Sequence, residues 1–219
     1  NTVADRVNND RRVHGKIRVV FVENYRVSVA EKIFPAADVS EQISTAGFEA
    51  SGTSNMKFMV NGALTLGTMD GANIEIVNET GKENAFVFGL SADEIIKMEN
   101  EHSYNPQEYL RRNTELSRVV QQLVDGTYDP THQEFKELYD SLVYGVEGQR
   151  PDVFYVLADF DAYCKAHEEV EASYQNTKAW ARKALINIAN SGKFSSDRTI
   201  EDYVRDIWHL KKVTPLADV

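Results

Sequence analysis

The residues best suited to chemistry lie between positions 49 and 58, where small polar side chains lead directly to a lysine. Gly52 lets the backbone approach a ligand closely, and Thr53 and Ser54 place hydroxyls at the start of a predicted short helix. Lys57 follows about one helical turn later, and its apolar sequence neighbours favour a neutral, nucleophilic amine. A phosphate anchor at a helix start beside such an amine is what pyridoxal 5'-phosphate requires.

Each of these residues also has an ordinary structural interpretation. A glycine followed by two hydroxyl residues is a common helix cap, and most lysines of an acidic protein are solvated surface charges. The local pattern therefore leaves two alternatives, a cofactor site and a plain helix cap. The wider sequence has to separate them.

Three stretches of the chain carry a family resemblance. They are residues 35–73, which include Lys57, residues 19–28, and residues 187–200. All three closely resemble the α-glucan phosphorylases, the family of glycogen, starch and maltodextrin phosphorylases. The resemblance extends over nearly the whole chain.

The resemblance implies an α-1,4-glucan phosphorylase, a glycosyltransferase of carbohydrate metabolism that depends on pyridoxal 5'-phosphate. Such an enzyme removes one glucose from the non-reducing end of the glucan, with inorganic phosphate as acceptor and glucose 1-phosphate as product. The cofactor phosphate acts as a proton shuttle, which suits a group whose second pKa is about 6. The resemblance also implies a cytoplasmic, allosteric enzyme that is a homodimer when complete.

The resemblance assigns roles to two groups of residues. Lys57 matches the lysine that holds the cofactor, and the other residues matched to the cofactor pocket are Gly52, Thr53, Ser54, Tyr25 and Arg26. The residues matched to sugar hydroxyls at the catalytic subsite are Glu49, Ser51 and Gly52. Lys57 and Glu49 are thus the candidate catalytic residues. Without the resemblance, Tyr25 and Arg26 would be interpreted as a strand-end aromatic and a surface cation, and Glu49 as a solvated or capping carboxylate.

Hydrophobic periodicity predicts an α/β fold. Apolar runs at residues 17–22, 64–68 and 85–88 predict buried strands, and the helical stretches between them favour parallel α/β units. From residue 91 onward the pattern is helical, with breaks at Pro106 and Pro130. For the last helix we expect Ser196 as the cap and an apolar face formed by Ile200, Tyr203, Val204, Ile207 and Trp208.

We expect residues 1–90 to be the α/β, cofactor-binding part of a domain and residues 91–219 to be its mainly helical remainder. Three strands are few for a doubly wound sheet. The resemblance implies that the chain is part of the Rossmann-like C-terminal domain of a two-domain GT-B type glycosyltransferase, followed by a helical extension. We therefore expect this segment alone to lack activity, because cationic groups for the phosphates would lie elsewhere.

Composition excludes several other classes. The net charge of -10 over 219 residues disfavours a nucleic-acid surface or an anionic membrane as partner. A single cysteine, Cys164, rules out an internal disulfide framework, which agrees with the cytoplasm. The five histidines form no metal-binding motif, so we expect no metal, and the glycines form no dinucleotide fingerprint.

Two alternatives from other classes stay open. An aminotransferase would need a carboxylate against the pyridine nitrogen, and the sequence assigns no aspartate to that position. A non-catalytic module that binds pyridoxal phosphate or carbohydrate is the stronger alternative, because the chain could hold only a small part of a catalytic cleft.

Overall fold

The computed structural model describes residues 1–13 and 15–211, and within them the chain folds as three short β-strands and eleven α-helices. The strands are β1 (Val39–Gln42), β2 (Leu64–Gly67) and β3 (Phe86–Val87). The helices are α1 (Thr2–Asn9), α2 (Val27–Ile33), α3 (Ser54–Val60), α4 (Ala72–Thr80), α5 (Ala92–Glu101), α6 (Pro106–Arg112), α7 (Thr114–Gln121), α8 (Lys136–Val143), α9 (Val156–Tyr174), α10 (Thr177–Asn190) and α11 (Ser196–Tyr203). Short 3₁₀ turns lie at Phe34–Ala36, Lys82–Asn84 and Ser191–Phe194, and a π-helical turn, Val204–Trp208, follows α11.

The strands form one parallel sheet in the order β1-β2-β3. Val39 pairs with Leu64 at one end of the β1–β2 ladder, and Leu66 pairs with Phe86 in the β2–β3 ladder. Helix α3 connects β1 to β2, and α4 connects β2 to β3, as parallel pairing requires. All four residues of β2 are buried, which is expected of the middle strand of a parallel sheet. The predicted α/β class and the strands predicted at 64–68 and 85–88 are confirmed.

The main hydrophobic core lies between the sheet and the two longest helices. Leu64 and Leu66 of β2 are fully buried in a cluster with side chains from α9 and α10. Trp180 of α10 stacks on Phe86 of β3, with 6.0 Å between the ring centroids. Helix α9 also supplies Leu157 to a second core, which it shares with α7 and α8. The same helix therefore packs against both the sheet and the helical part of the chain.

The strand predicted at residues 17–22 is wrong. That segment is extended, but it pairs with no strand among the described residues, and Phe21 is 72% exposed. At Val19 a side chain binds the backbone instead, because Asn8 accepts from Val19 N and donates to Val19 O, both at 2.8 Å. An apolar, β-branched composition predicts a strand, but a strand in a sheet also needs a neighbouring strand to bind its backbone groups.

Two elements were not predicted. Strand β1 has a polar sequence in which Ser40 is buried and Glu41 is exposed, and it lies at an edge of the sheet. Such a strand lacks the continuous apolar run of a central parallel strand. Helix α1 covers the opening residues and contains no buried residue.

The helical remainder follows the predicted breaks. Asn105 and Pro106 begin α6, and the turn around Pro130 separates α7 from α8. The last helix differs in its cap, because Ser195 rather than Ser196 accepts from Asp197 N at 3.2 Å. Its predicted apolar face is not buried in the described structure, where the exposed members are Ile200, Tyr203, Ile207 and Trp208. Over residues 1–13 and 15–211, no helix is long and apolar enough to cross a membrane.

Asn187 provides a test of how α10 is attached to the turn before β3. Its side chain is completely buried, and Nδ2 donates to the carbonyls of Asn84 and Lys183, both at 3.0 Å. We expect Asn187→Ala to lower the free energy of unfolding by about 1–3 kcal/mol, because the Asn84 carbonyl would remain buried without this donor. Urea denaturation measures the change. The matched control is Asn190→Ala, whose side chain donates only within α10, to Ile186 O at 2.8 Å. Equal losses in the two variants would contradict this role of Asn187.

Candidate functional site

A cavity of about 430 Å³ brings together most of the residues predicted for the cofactor. Tyr25 and Arg26 line it from the segment before α2, and Thr53, Ser54 and Lys57 line it from the start of α3. These two segments are separated by 26 residues or more in sequence, so the fold, and not the local chain, creates the cavity. A volume of this size lies within the range of small-molecule sites, about 300–1,000 Å³. We call this cavity the Lys57 pocket.

Helix α2 forms a wall of the Lys57 pocket that the sequence analysis did not identify. The lining side chains are Val27, Ala30, Glu31 and Phe34. Their spacing of three, four and seven residues places them on one face of a helix. That periodicity was present in the sequence and could have revealed the wall. It gives the pocket an apolar surface with one carboxylate.

Lys57 lies in the second turn of α3, and its side chain is exposed. Its Nζ atom is 5.9 Å from the centre of the Phe34 ring, a distance at which a cation and an aromatic face attract each other. Phe58, the next residue, packs edge-on against the same ring at 4.7 Å. The sequence neighbours of Lys57 do not bury it, since its side chain remains exposed. The amine is accessible from the pocket instead.

Hydrogen bonds fix the two ends of the pocket. Arg26 caps α2 with its carbonyl, which accepts from Ala30 N at 2.8 Å, while its Nε donates to Ser28 Oγ at 3.2 Å. On the other side, Ser54 Oγ accepts from Nε2 of Gln42 at 3.3 Å, and Gln42 is the last residue of β1. The start of α3 is thus attached to the carboxyl end of β1. Ligand sites of parallel α/β sheets occur at this end of the strands.

Gly52 makes the turn between the Lys57 pocket and the loop that precedes it. Its φ of +77° is in the left-handed region, and a Cβ atom there would lie 3.1 Å from Asn55 Nδ2. Thr53 is the N-cap residue of α3 by backbone position, but its side chain makes no capping hydrogen bond. Gly52 itself is not among the residues that line the pocket.

The predicted sugar-binding residues lie on the other side of this turn. Glu49 and Ser51 are both exposed, and neither lines the Lys57 pocket. Glu49 instead borders a very small cavity together with Asp70. Glu49 and Ser51, which are close in sequence to the predicted cofactor residues, therefore do not share the Lys57 pocket with them.

A second cavity of about 310 Å³ contains none of the predicted site residues. It lies between the carboxyl ends of β1 and β3 and helix α9, and aromatic side chains contribute much of its wall. Burial raises the pKa of Asp159 there, and Leu90 N donates to its carboxylate at 2.8 Å. Burial and the neighbouring Glu41 raise the pKa of Tyr163 to about 12. Asp159 and Tyr163 are thus hydrogen-bonded polar groups in a largely aromatic wall.

The described residues also bear on metal binding. Within residues 1–13 and 15–211, no group of three His, Cys, Asp or Glu side chains is arranged to hold a metal ion. The chemistry of the Lys57 pocket consists of one amine, one guanidinium, hydroxyls and the Glu31 carboxylate.

The Lys57 pocket carries an amine and a guanidinium and lies at the carboxyl end of a parallel sheet, the usual position of ligand sites in α/β proteins. Residues 1–210 match the family model described as Carbohydrate phosphorylase. The chain belongs to the carbohydrate phosphorylase family.

Individual relatives agree with this assignment. The chain is 52% identical to the muscle form of human glycogen phosphorylase over 210 residues, which is 95% of this chain and 24% of that protein. It is 49% identical to a glycogen phosphorylase of Bacillus subtilis, over 96% of this chain and 26% of the relative. The chain thus spans about a quarter of the length of the curated relatives that it matches.

The turn at Gly52 can be tested without any ligand. We expect Gly52→Ala to lower the free energy of unfolding by about 1–2 kcal/mol, because an alanine is strained at this φ and its methyl group would crowd Asn55. Gly192→Ala is the matched control, since no atom lies within 4 Å of the Cβ position there. Urea unfolding curves compare the two variants. A Gly52 variant as stable as its control would mean that the turn is not constrained as the structure shows.

Proposed function

We propose that this chain is the cofactor-binding portion of an α-1,4-glucan phosphorylase. The proposed reaction is phosphorolysis of the glucose at the non-reducing end of the glucan to glucose 1-phosphate. The observation that carries the proposal is the Lys57 pocket, in which a lysine, an arginine and two hydroxyl residues from distant segments meet. The names of the relatives, all glycogen phosphorylases, support the choice of reaction.

The Lys57 pocket suits pyridoxal 5'-phosphate. Arg26 and the hydroxyls of Thr53 and Ser54 would hold the phosphate group of the cofactor. Lys57 would supply the amine that binds the cofactor aldehyde. The apolar face of α2 offers a surface for the pyridine ring. When bound, the cofactor supplies a phosphate group whose second pKa is about 6, suited to exchanging a proton near neutral pH.

Glu49, Ser51 and Gly52 would bind the sugar. The side chains of Glu49 and Ser51 are exposed, so they are available to hydroxyl groups of a glucan. A carboxylate is a strong acceptor for such donors. The separation of these residues from the Lys57 pocket by the turn at Gly52 would put sugar and cofactor on adjacent surfaces.

The remaining features of the proposal follow from the family. The small parallel sheet would be part of a Rossmann-like domain in a two-domain GT-B type enzyme. The partners would be an α-1,4-glucan and inorganic phosphate, and the whole enzyme would be a cytoplasmic homodimer under allosteric control. Neither a nucleic acid nor a membrane is among the proposed partners.

Glu31 bears on the aminotransferase alternative. That class places a carboxylate against the pyridine nitrogen, and Glu31 is a carboxylate on the wall of the Lys57 pocket. Membership of the carbohydrate phosphorylase family favours phosphorolysis over transamination. Assay of the full-length polypeptide for glucose 1-phosphate and for amino-group transfer separates the two, and a non-catalytic module would show neither.

The cofactor assignment predicts the site of covalent attachment. In the full-length polypeptide that carries this chain, borohydride reduction should fix pyridoxal phosphate on Lys57, because its amine is accessible in the pocket. Peptide mapping by mass spectrometry locates the label. Lys57→Arg keeps the charge but should abolish labelling, whereas Lys32→Arg on α2, outside the pocket wall, should leave it unchanged. A label on any other lysine would contradict the assignment.

The sugar-binding assignment predicts the effect of Glu49→Gln. This substitution keeps the size of the side chain and one acceptor oxygen but removes the charge. A hydrogen bond to a charged group is worth about 1.5–3 kcal/mol, so kcat/KM should fall roughly 10- to 100-fold while cofactor content stays the same.

Glu75→Gln is the control, because Glu75 is an exposed glutamate of α4 that lines neither the Lys57 pocket nor the small cavity beside Glu49. Steady-state kinetics and cofactor absorbance are measured on both variants. Full activity of the Glu49 variant, or loss of its cofactor, would assign Glu49 a structural role.

A further inference from the structure

The loop that carries Glu49 and Ser51 is held by its main chain. The side chains of these two residues make only local hydrogen bonds: Ser51 N lies 3.4 Å from Glu49 Oε1, and Ser51 Oγ donates to the neighbouring Gly52 carbonyl at 3.0 Å. Neither hydrogen bond connects Glu49 or Ser51 to the rest of the protein. The position of these two residues therefore depends on their backbone groups and on the residues that bind them.

Asp70 binds two consecutive backbone amides of this loop. One carboxylate oxygen, Oδ2, accepts from Glu49 N at 2.7 Å and from Phe48 N at 3.2 Å. The Asp70 side chain is buried, with 7% of its surface exposed, so the interaction is shielded from water. Hydrogen bonds from backbone amides to an ionised carboxylate are stronger than those between neutral groups.

The residues after Asp70 hold the next part of the loop. Ala72 N donates to Ser51 O at 2.7 Å, and Asn55 Nδ2 donates to the same carbonyl at 3.3 Å. At Gly71 a Cβ atom would lie only 2.5 Å from Ser51 O, so the two backbones approach as closely as glycine allows. The turn over residues 70–72 thus forms hydrogen bonds with the loop at both Glu49 and Ser51.

The turn over residues 70–72 is held in turn by two buried asparagines, Asn55 and Asn73. Asn73 Oδ1 accepts from Asn55 Nδ2 at 3.0 Å, and Asn73 Nδ2 donates to Thr68 O at 3.1 Å. Both asparagines are buried. A buried and satisfied polar network of this kind holds one conformation in preference to others.

We propose that Asp70 is a positioning residue, which holds the main chain of Glu49 so that the Glu49 carboxylate meets the sugar. This inference rests on the proposed function, since it takes Glu49 as a sugar ligand. Asp70 itself would not touch the substrate, because its buried carboxylate already binds the loop amides. Its effect on the reaction would pass through Glu49.

A double-mutant cycle in the full-length polypeptide tests whether Asp70 acts on the reaction through Glu49. The substitutions are Asp70→Ala and Glu49→Gln, and the assay is phosphorolysis of a linear maltooligosaccharide with inorganic phosphate. Asp70→Ala alone should reduce kcat/KM roughly 10- to 100-fold at unchanged cofactor content, but should reduce it less than about threefold when Glu49 is already replaced. Independent, multiplicative losses would overturn the proposal. Asp93→Ala, which replaces an exposed aspartate of α5, should leave the kinetics unchanged.

A second variant covers the case in which Asp70→Ala does not fold. Asp70→Asn keeps the shape and one acceptor oxygen, so it should show a smaller loss of kcat/KM with the same coupling to Glu49. Multiplicative losses for this pair would likewise overturn the proposal.

Hydrogen exchange separates this inference from the proposed function. In the Asp70→Asn variant, the amide of Glu49 should exchange at least tenfold faster than in the unsubstituted protein, while those of β2 do not change. The Phe48 amide is less informative, because it also donates to Thr45 O at 3.0 Å. Unchanged exchange at the Glu49 amide would overturn the positioning role whatever the enzyme does. An unsubstituted, cofactor-loaded polypeptide that forms no glucose 1-phosphate would instead contradict the proposed function.

Discussion

Parallel pairing of β1 and β2 determines where the candidate site lies. In a parallel sheet the carboxyl ends of neighbouring strands share one edge, so the segments that leave them run side by side. The segment after β1 carries Glu49 and leads to α3, and the segment after β2 is the turn that begins at Asp70. Their contact is a direct consequence of the Gln42–Gly67 register at the end of the ladder. An antiparallel arrangement would place them at opposite ends of the sheet.

The burial of β2 makes this arrangement stable. Leu64 and Leu66 have no exposed surface, and α9 and α10 pack against them. Complete burial of a leucine side chain contributes about 1.5–3 kcal/mol, so two of them anchor the middle strand firmly. On the loop after β1 the Glu49 and Ser51 side chains are exposed, so the loop presents these polar groups to solvent without weakening the core.

Much of this could be predicted from the sequence, and the failures have physical causes. The strands at residues 64–68 and 85–88 were predicted because a buried parallel strand is apolar throughout. Residues 17–22 have the same composition, yet the Asn8 side chain takes the backbone groups of Val19 that a neighbouring strand would bind. Strand β1 escaped prediction because it is a polar edge strand. An apolar composition indicates a tendency to be buried, but the tertiary structure determines which backbone groups form hydrogen bonds with one another.

The candidate site shows the same limit. Lys57 and its preceding turn were identified from local residue types and from the family resemblance, and the fold brings Tyr25 and Arg26 to the same pocket. The α2 wall had a helical spacing that could have revealed it. By contrast, the bonds from Asp70 to the loop join residues 21 and 22 positions apart. In the sequence, Asp70 and the following glycine indicate only a turn.

The loop between β1 and α3 is anchored on two sides. On one side Asp70 binds its amides, and on the other the Thr45 hydroxyl donates to the Phe154 carbonyl, just before α9. The rings of Phe48 and Phe154 also meet edge to face, 5.5 Å apart. Because α9 packs on the sheet from which the loop departs, both anchors belong to one packed unit. The main chain at Glu49 is thereby fixed from two directions, while its carboxylate stays exposed. A fixed backbone with an accessible side chain is what preorganisation of the proposed sugar ligand would require.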